Sequence, residues 1–138
     1  MKALLNYIKA NYSKSIYNQY LRVMADFALV IAQEVGADPI ICTSAALLHK
    51  LADNITGPYR ANKVNPVLRD CGYEGKVIQK VMACVVNLLP ENQSNRTTLE
   101  EKVVADAYLL TYWPEITGNF EFGFELEVSE KIFLEMDI

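Results

Sequence analysis

His49 and Asp53 are the residues whose types and spacing most directly suggest chemistry in this chain. His49 is the only histidine among 138 residues, and histidine is the side chain whose ordinary pKa suits proton transfer near neutral pH. Asp53 follows one helical turn later, which places both side chains on the same face of a helix. The pair can hydrogen-bond or share a ligand. A histidine that ends an apolar helix is more often structural than catalytic, so the elements around it decide its role.

Two predicted helices position His49. The first covers residues 15–35, where apolar residues recur at steps of three and four, and Gly36 is its expected C-cap. The second opens with Asp38 as N-cap and Pro39 in the first turn. Residues 40–48 are apolar or small on nearly every side, which is typical of a helix in the middle of a bundle. His49 therefore lies at the end of a central buried helix.

The rest of the chain is predicted to be mostly helical. Turn residues without periodicity indicate an irregular loop over 54–62. Apolar spacing and helix start and stop signals predict further helices from Asn65 to Gly72, over 74–89, from a Thr97–Glu100 capping box to Thr111, and over 129–136.

The sequence thus predicts an all-α fold, a helical bundle of five to seven helices in a single domain over residues 1–138. Aromatic or aliphatic residues alternate with Glu or Gly over 120–128, which indicates a short extended segment there.

Composition narrows the classes of function. The net charge is −4, and the 13 Lys and Arg are scattered, so we expect no nucleic-acid partner. No apolar run is long enough for a signal peptide or membrane span, so we expect a cytoplasmic protein without membrane association. Three widely spaced cysteines without zinc spacing are interpreted as structural thiols. A homo-oligomer is compatible with this composition.

Four stretches, taken in order and spacing, resemble the HD-domain superfamily over residues 15 to about 110. These stretches are Gln19-Tyr20-Leu21-Arg22-Val23, Gly36-Ala37-Asp38, Ala45-Ala46-Leu47-Leu48-His49-Lys50 and Glu101-Lys102-Val103-Val104-Ala105-Asp106-Ala107. The resemblance implies an all-helical bundle, in agreement with the periodicity. It also implies a phosphohydrolase in which a first histidine, a His-Asp doublet and a distant aspartate bind a divalent metal that activates water.

Transferred to this chain, the resemblance puts the ligand positions at Gln19, His49, Lys50 and Asp106. Lysine offers only donors and a positive charge, so it repels a divalent ion where the family has a carboxylate. Asn87 stands where some relatives have another histidine. We therefore expect a degenerate member with vestigial metal positions and no cofactor. Lys50 is expected either to replace the ion by pairing with Asp106 or to face solvent at the helix end.

The polar residues expected around this degenerate site can still bind an anion. They are Gln19, Arg22, Lys50, Asn87 and Arg60, with Tyr59 beside Arg60. The sequence therefore favours a non-hydrolytic domain that binds a small anionic ligand or a protein partner.

Two alternatives stay open. One is an active phosphohydrolase, with a divalent metal held by His49, Asp53 and Asp106 in an altered arrangement. The other is a metal-free acid–base enzyme in which His49 is the base and Asp53 or Asp106 orients it.

Overall fold

The computed structural model describes residues 1–53, 55, 57–112 and 121. Within these residues the chain is all-helical and has no strand, which confirms the predicted all-α bundle of five to seven helices. The α-helices are α1 Lys2–Asn11, α2 Lys14–Ile16, α3 Arg22–Val35, α4 Pro39–Leu48, α5 Val64–Asp70, α6 Gly75–Val86 and α7 Leu99–Tyr112. The expected extended segment near 120–128 and the helix over 129–136 lie outside the described residues, apart from Glu121.

The predicted helix over 15–35 is helical throughout but not uniform. The hydroxyl of Ser13 accepts a hydrogen bond from the backbone N–H of Ile16 and caps α2. A π-helical turn, Tyr17–Leu21, then connects α2 to α3. Such turns are uncommon and are often found at functional sites. Gly36, with φ of 79°, ends α3 in the left-handed conformation, as predicted.

The central helix, α4, begins after the predicted N-cap, and most of it is buried, as the sequence indicates. Asp38 Oδ1 accepts hydrogen bonds from the backbone N–H groups of Ile40 (2.9 Å) and Ile41 (3.4 Å). All residues from Ile41 to Leu48 are buried, and α4 packs against α3, α6 and α7. Ile40 departs from the prediction, since it is 53% exposed in the first turn. The burial of the rest fixes the end of α4, and therefore His49, inside the bundle.

The start of α7 differs by one residue from the predicted capping box. The Thr98 hydroxyl accepts from the backbone N–H of Glu101 (3.1 Å) and donates to its carboxylate (3.0 Å), so the box is Thr98 with Glu101. The expected partner, Glu100, instead accepts a hydrogen bond from the backbone N–H of Asp38 at 2.9 Å. The Thr97–Glu100 box was therefore wrong, because Glu100 joins the start of α7 to the start of α4.

The segment after α4 is more regular than the predicted loop. It contains two 3-10 turns, His49–Ala52 and Gly57–Ala61, before α5 begins at Val64. A third 3-10 turn, Pro90–Asn95, connects α6 to α7. None of the helices in the described part of the chain is long and apolar enough to cross a membrane.

Candidate functional site

His49 lies at the C-terminal end of α4 with only 1% of its surface exposed. Its Nδ1 is 2.6 Å from the carbonyl oxygen of Ala46. Because a carbonyl oxygen can only accept, Nδ1 carries the hydrogen, and Nε2 of the neutral ring is an acceptor. The hydroxyl of Tyr112 lies 2.5 Å from Nε2 and donates to it. Both ring nitrogens therefore have partners inside the protein.

Burial keeps this imidazole neutral. The pKa of His49 is lowered from 6.5 to about 4, mainly by desolvation, and the positive charges of Lys50 and Arg60 act in the same direction. The hydrogen bond to the Ala46 carbonyl and the charge of Asp53 act in the opposite direction but are weaker. At neutral pH His49 is uncharged, and its Nε2 accepts a hydrogen bond from the hydroxyl of Tyr112.

The ammonium group of Lys50 lies over aromatic rings rather than beside Asp106. Lys50 Nζ is 5.1 Å from the ring centroid of Tyr20 and 5.7 Å from that of Tyr112, which are cation–π distances. Its carboxylate partner is Asp53, with Nζ and Oδ2 3.7 Å apart. Among the described residues, Lys50 and Asp106 form no ion pair, so the first of the two alternatives for Lys50 is not observed. The 3-10 turn after α4 instead brings Asp53 within reach of Lys50.

A group of rings from two parts of the chain surrounds these side chains, and we call Tyr20, Tyr108 and Tyr112 the tyrosine cluster. Tyr20 stacks on Tyr112 with centroids 5.6 Å apart and planes within 9°. Tyr108 packs against Tyr112 at 4.7 Å. The His49 ring forms T-shaped contacts with Tyr108 and Tyr112, with ring centroids 6.1 and 5.6 Å apart. The site is therefore surrounded by aromatic rings that combine an apolar face with a polar hydroxyl group.

Tyr108 and Tyr112 were not among the residues predicted for the site. Their spacing of four residues placed them on one face of a helix, which was the available signal. Burial raises the pKa of Tyr108, and the negative charge of Asp53 raises it further. Tyr108 therefore stays protonated near neutral pH, and Asp53 lies close enough to influence it.

Two candidate residues come from the stretch that contains the π-helical turn. Gln19 lies in that turn and is exposed. Arg22 begins α3, and its Nη1 is 2.9 Å from Oδ2 of Asp26, so these side chains form the ion pair expected from their spacing. Burial nevertheless raises the pKa of Asp26 despite the opposing effect of Arg22. The Arg22 guanidinium is thus already engaged by a carboxylate.

Arg60 has an internal role. The residue is 6% exposed, and its guanidinium donates to the carbonyl oxygens of Val85 (3.2 Å), Ala52 (3.0 Å) and Ile55 (3.2 Å). These bonds fasten the turn after α4 to α6. Its neighbour Tyr59 is 69% exposed.

Asn87 and Asp106 also bond within the protein. Asn87 donates from Nδ2 to Oε2 of Glu101 at 2.8 Å. Asp106, 1% exposed on α7, accepts a hydrogen bond from the backbone N–H of Glu121 at its Oδ1, 2.8 Å away. The structure thus brings His49, Lys50 and Asp53 together with the tyrosine cluster, whereas these two side chains interact with other parts of the chain.

The residues at the expected ligand positions do not fit a divalent metal. Within the described residues, no group of three or more His, Cys, Asp or Glu side chains is placed to share an ion, so His49, Asp53 and Asp106 do not form a ligand set. His49 would have to break a buried hydrogen bond to coordinate, and Lys50 adds a positive charge.

The chain was compared with family models, with curated proteins and with solved structures, and none of them matched. The likeness to the HD-domain superfamily stays a prediction from the sequence.

Proposed function

We propose that this chain is a degenerate HD-like helical domain that does not hydrolyse phosphoesters through a metal, and that it binds a small anionic ligand at Lys50. The observation that carries the proposal is the environment of Lys50. Its ammonium group, on a side chain that is 23% exposed, has as its only acidic partner among the described residues the half-exposed Asp53 at 3.7 Å. A cation at the surface beside aromatic rings is suited to meet an anion.

Exchange of Asp53 for a ligand costs little. Surface ion pairs contribute about 0–1 kcal/mol, and this pair is long, so an incoming phosphate or carboxylate can replace Asp53 without a large loss. The rings of Tyr20 and Tyr112 stay beneath the ammonium and restrict its position. The other candidate cations are less available, since Arg22 pairs with Asp26 and Arg60 is buried against carbonyl groups. A protein partner that presents an acidic side chain would use the same contact.

Titration calorimetry with inorganic phosphate and a panel of small phosphates and carboxylates tests the proposal. We expect at least one member to bind, and Lys50→Met to weaken its binding about ten-fold or more, because the substitution keeps the length of the side chain but removes its charge. Lys80→Met, at an exposed position of α6, is the matched control and should leave binding unchanged.

Hydrolysis is measured on the same phosphates with Mn²⁺, Mg²⁺, Fe²⁺ or Zn²⁺ added, and no metal-dependent turnover is expected. Turnover that is lost in His49→Ala would contradict the proposal. Equal binding by wild type and Lys50→Met would also contradict it.

One observation favours a second candidate, metal-free acid–base chemistry. The short hydrogen bond from Tyr112 to His49 Nε2 is a route for a proton between a half-buried hydroxyl and an imidazole. Against it, His49 is 1% exposed and its pKa near 4 makes it a weak base. Hydrolysis of a non-phosphate ester panel in the presence of chelator, lost in His49→Gln, would favour this candidate over binding.

A further inference from the structure

Lys9 and Lys50 each lie over a tyrosine of the same turn. Lys50 Nζ is 5.1 Å from the ring centroid of Tyr20, and Lys9 Nζ is 5.4 Å from that of Tyr17. Both rings belong to the π-helical turn Tyr17–Leu21. A cation over the face of an aromatic ring is attracted to it, so each tyrosine restricts the position of one ammonium group. The turn therefore has a positive charge beside each of two of its rings.

The last turn of α1, which contains Lys9, lies near the candidate site. Tyr12 is the C-cap of α1, directly after that turn. Burial raises the pKa of Tyr12, and the negative charge of Asp53 contributes in the same direction. Asp53 is the carboxylate partner of Lys50. The end of α1 is thus close enough to the Lys50–Asp53 pair for its charge to be felt there.

Lys9 has no carboxylate partner within the part of the chain that the structure describes. The residue is exposed, and the ion pairs formed by the described residues do not include it. All 17 Asp and Glu residues of the chain lie from Asp26 onward, so α1, α2 and the π-helical turn contain no acidic side chain. An anion that approaches Lys9 is therefore not repelled by any carboxylate of these elements.

We propose that the ligand bound at Lys50 is a small molecule with two separated anionic groups, and that Lys9 binds the second group. This inference rests on the proposed function, because Lys50 holds the first group. The chemical class is a bisphosphate or a dicarboxylate. Lysine suits either kind of group, since its ammonium is a compact point charge with three rotatable donors. Once the first group is bound, the second binds intramolecularly at a high effective concentration, so two weak contacts combine into a tighter one.

Titration calorimetry with matched monoanions and dianions tests this inference. The probes are dicarboxylates of increasing chain length, each paired with the monocarboxylate of the same number of carbon atoms, and alkane bisphosphates paired with alkyl monophosphates. At one or more lengths we expect the dianion to bind about ten-fold or more tightly than its monoanion. Lys9→Met should remove this difference and leave binding of the monoanion unchanged. Lys50→Met should weaken the binding of both.

Two further variants separate the position of the charge from charge in general. Lys2→Met removes an exposed lysine two turns earlier in the same helix and should leave the preference for dianions unchanged. Lys9→Arg keeps a positive charge at the position and should retain the preference.

The possible failures are distinguishable. Equal affinity for monoanions and dianions at every length, with Lys50→Met still weakening both, would overturn this inference and leave the proposed function intact. A preference for dianions that survives in Lys9→Met would also overturn it, because the second group would then bind elsewhere. If none of the probes binds, the proposed function fails and this inference fails with it.

Discussion

The hydroxyl of Tyr112 donates a 2.5 Å hydrogen bond to Nε2 of His49 and so connects the end of α7 to the end of α4. This contact joins two residues of the candidate site that are 63 positions apart, so the spacing of residues in the sequence does not reveal it. The carbonyl oxygen of Ala46 determines the tautomer of the buried histidine, so that Nε2 accepts from Tyr112, whose ring also lies within cation–π distance of the Lys50 ammonium.

Tyr112→Phe should destabilise the protein by about 1–3 kcal/mol, because the buried Nε2 of His49 loses its donor. The phenyl ring keeps the stacking on Tyr20, so the loss reports mainly on the hydrogen bond. Urea unfolding measures the change. Tyr59→Phe, at a ring that is 69% exposed, is the control and should change stability by less than about 0.5 kcal/mol. Equal effects of the two substitutions would show that the bond to His49 contributes nothing.

His49 should make the protein less stable in acid. Its pKa is about 4 in the folded state and 6.5 as the ordinary value, so the unfolded chain binds the proton first as the pH falls. Stability is therefore lost between pH 6.5 and 4, by roughly 3 kcal/mol over the whole interval. The difference in unfolding free energy between wild type and His49→Gln, measured against pH, isolates this contribution from those of the carboxylates.

NMR gives an independent check of the same pKa, since His49 supplies the only imidazole signals. Its ring resonances should keep the shifts of the neutral form down to about pH 5. A titration midpoint near 6.5 would mean that the ring is solvated and that the buried arrangement is wrong.

Lys50→Ala should cost only about 0.5–2 kcal/mol, because a weak surface pair contributes about 0–1 kcal/mol and the one ammonium group shared between two rings about 0.5–1 kcal/mol. A buried pair with Asp106, which the sequence suggested, would cost more. Thermal and urea unfolding distinguish the two, with Lys80→Ala as the exposed control. A loss of 3 kcal/mol or more, the range of about 3–5 kcal/mol expected for breaking a buried ion pair, would contradict the contacts described for Lys50.

Lys50→Asp restores the order of the His-Asp doublet without restoring a metal site. Both nitrogens of His49 are already bonded, and Asp106 accepts from Glu121. We expect no stoichiometric binding of Mn²⁺ or Zn²⁺ by calorimetry. We also expect lower stability, because a second carboxylate then faces Asp53 across one turn. Tight binding of one ion per chain by this variant would show that the ligand positions are still arranged for metal.

Arg60→Met should reduce stability rather than ligand binding. The substitution leaves the carbonyl oxygens of Val85, Ala52 and Ile55 without their donor and should cost about 1–3 kcal/mol. Arg69→Met, at an exposed position of α5, is the control. If Arg60→Met instead weakened anion binding and left stability unchanged, Arg60 would be a ligand-binding residue, as the sequence predicted, and its internal role would be wrong.

Local signals in the sequence predicted the framework well. Gly36 and Asp38 act as caps within their own turns, and the run from Ile41 to Leu48 is apolar or small on nearly every side, so α3 and α4 could be placed from the sequence. The capping box at α7 was off by one residue because Glu100 is engaged by Asp38, which is distant in sequence.

The contacts that define the site could not be predicted in this way. Tyr112 and His49 are 63 residues apart, and which side chain meets an imidazole across a bundle depends on helix packing. Lys50 could have turned toward Asp106 or Asp53, and the 3-10 turn that decides between them has no clear mark in the sequence.

The metal content of native protein, purified without chelator and measured by elemental analysis, tests the central claim most directly. The claim is that the site at the end of α4, with Lys50 and the tyrosine cluster, holds no metal and binds an anion instead. It predicts no stoichiometric Mn, Fe, Zn or Mg in the wild type and no difference from His49→Ala. One ion per chain that disappears in His49→Ala would contradict it.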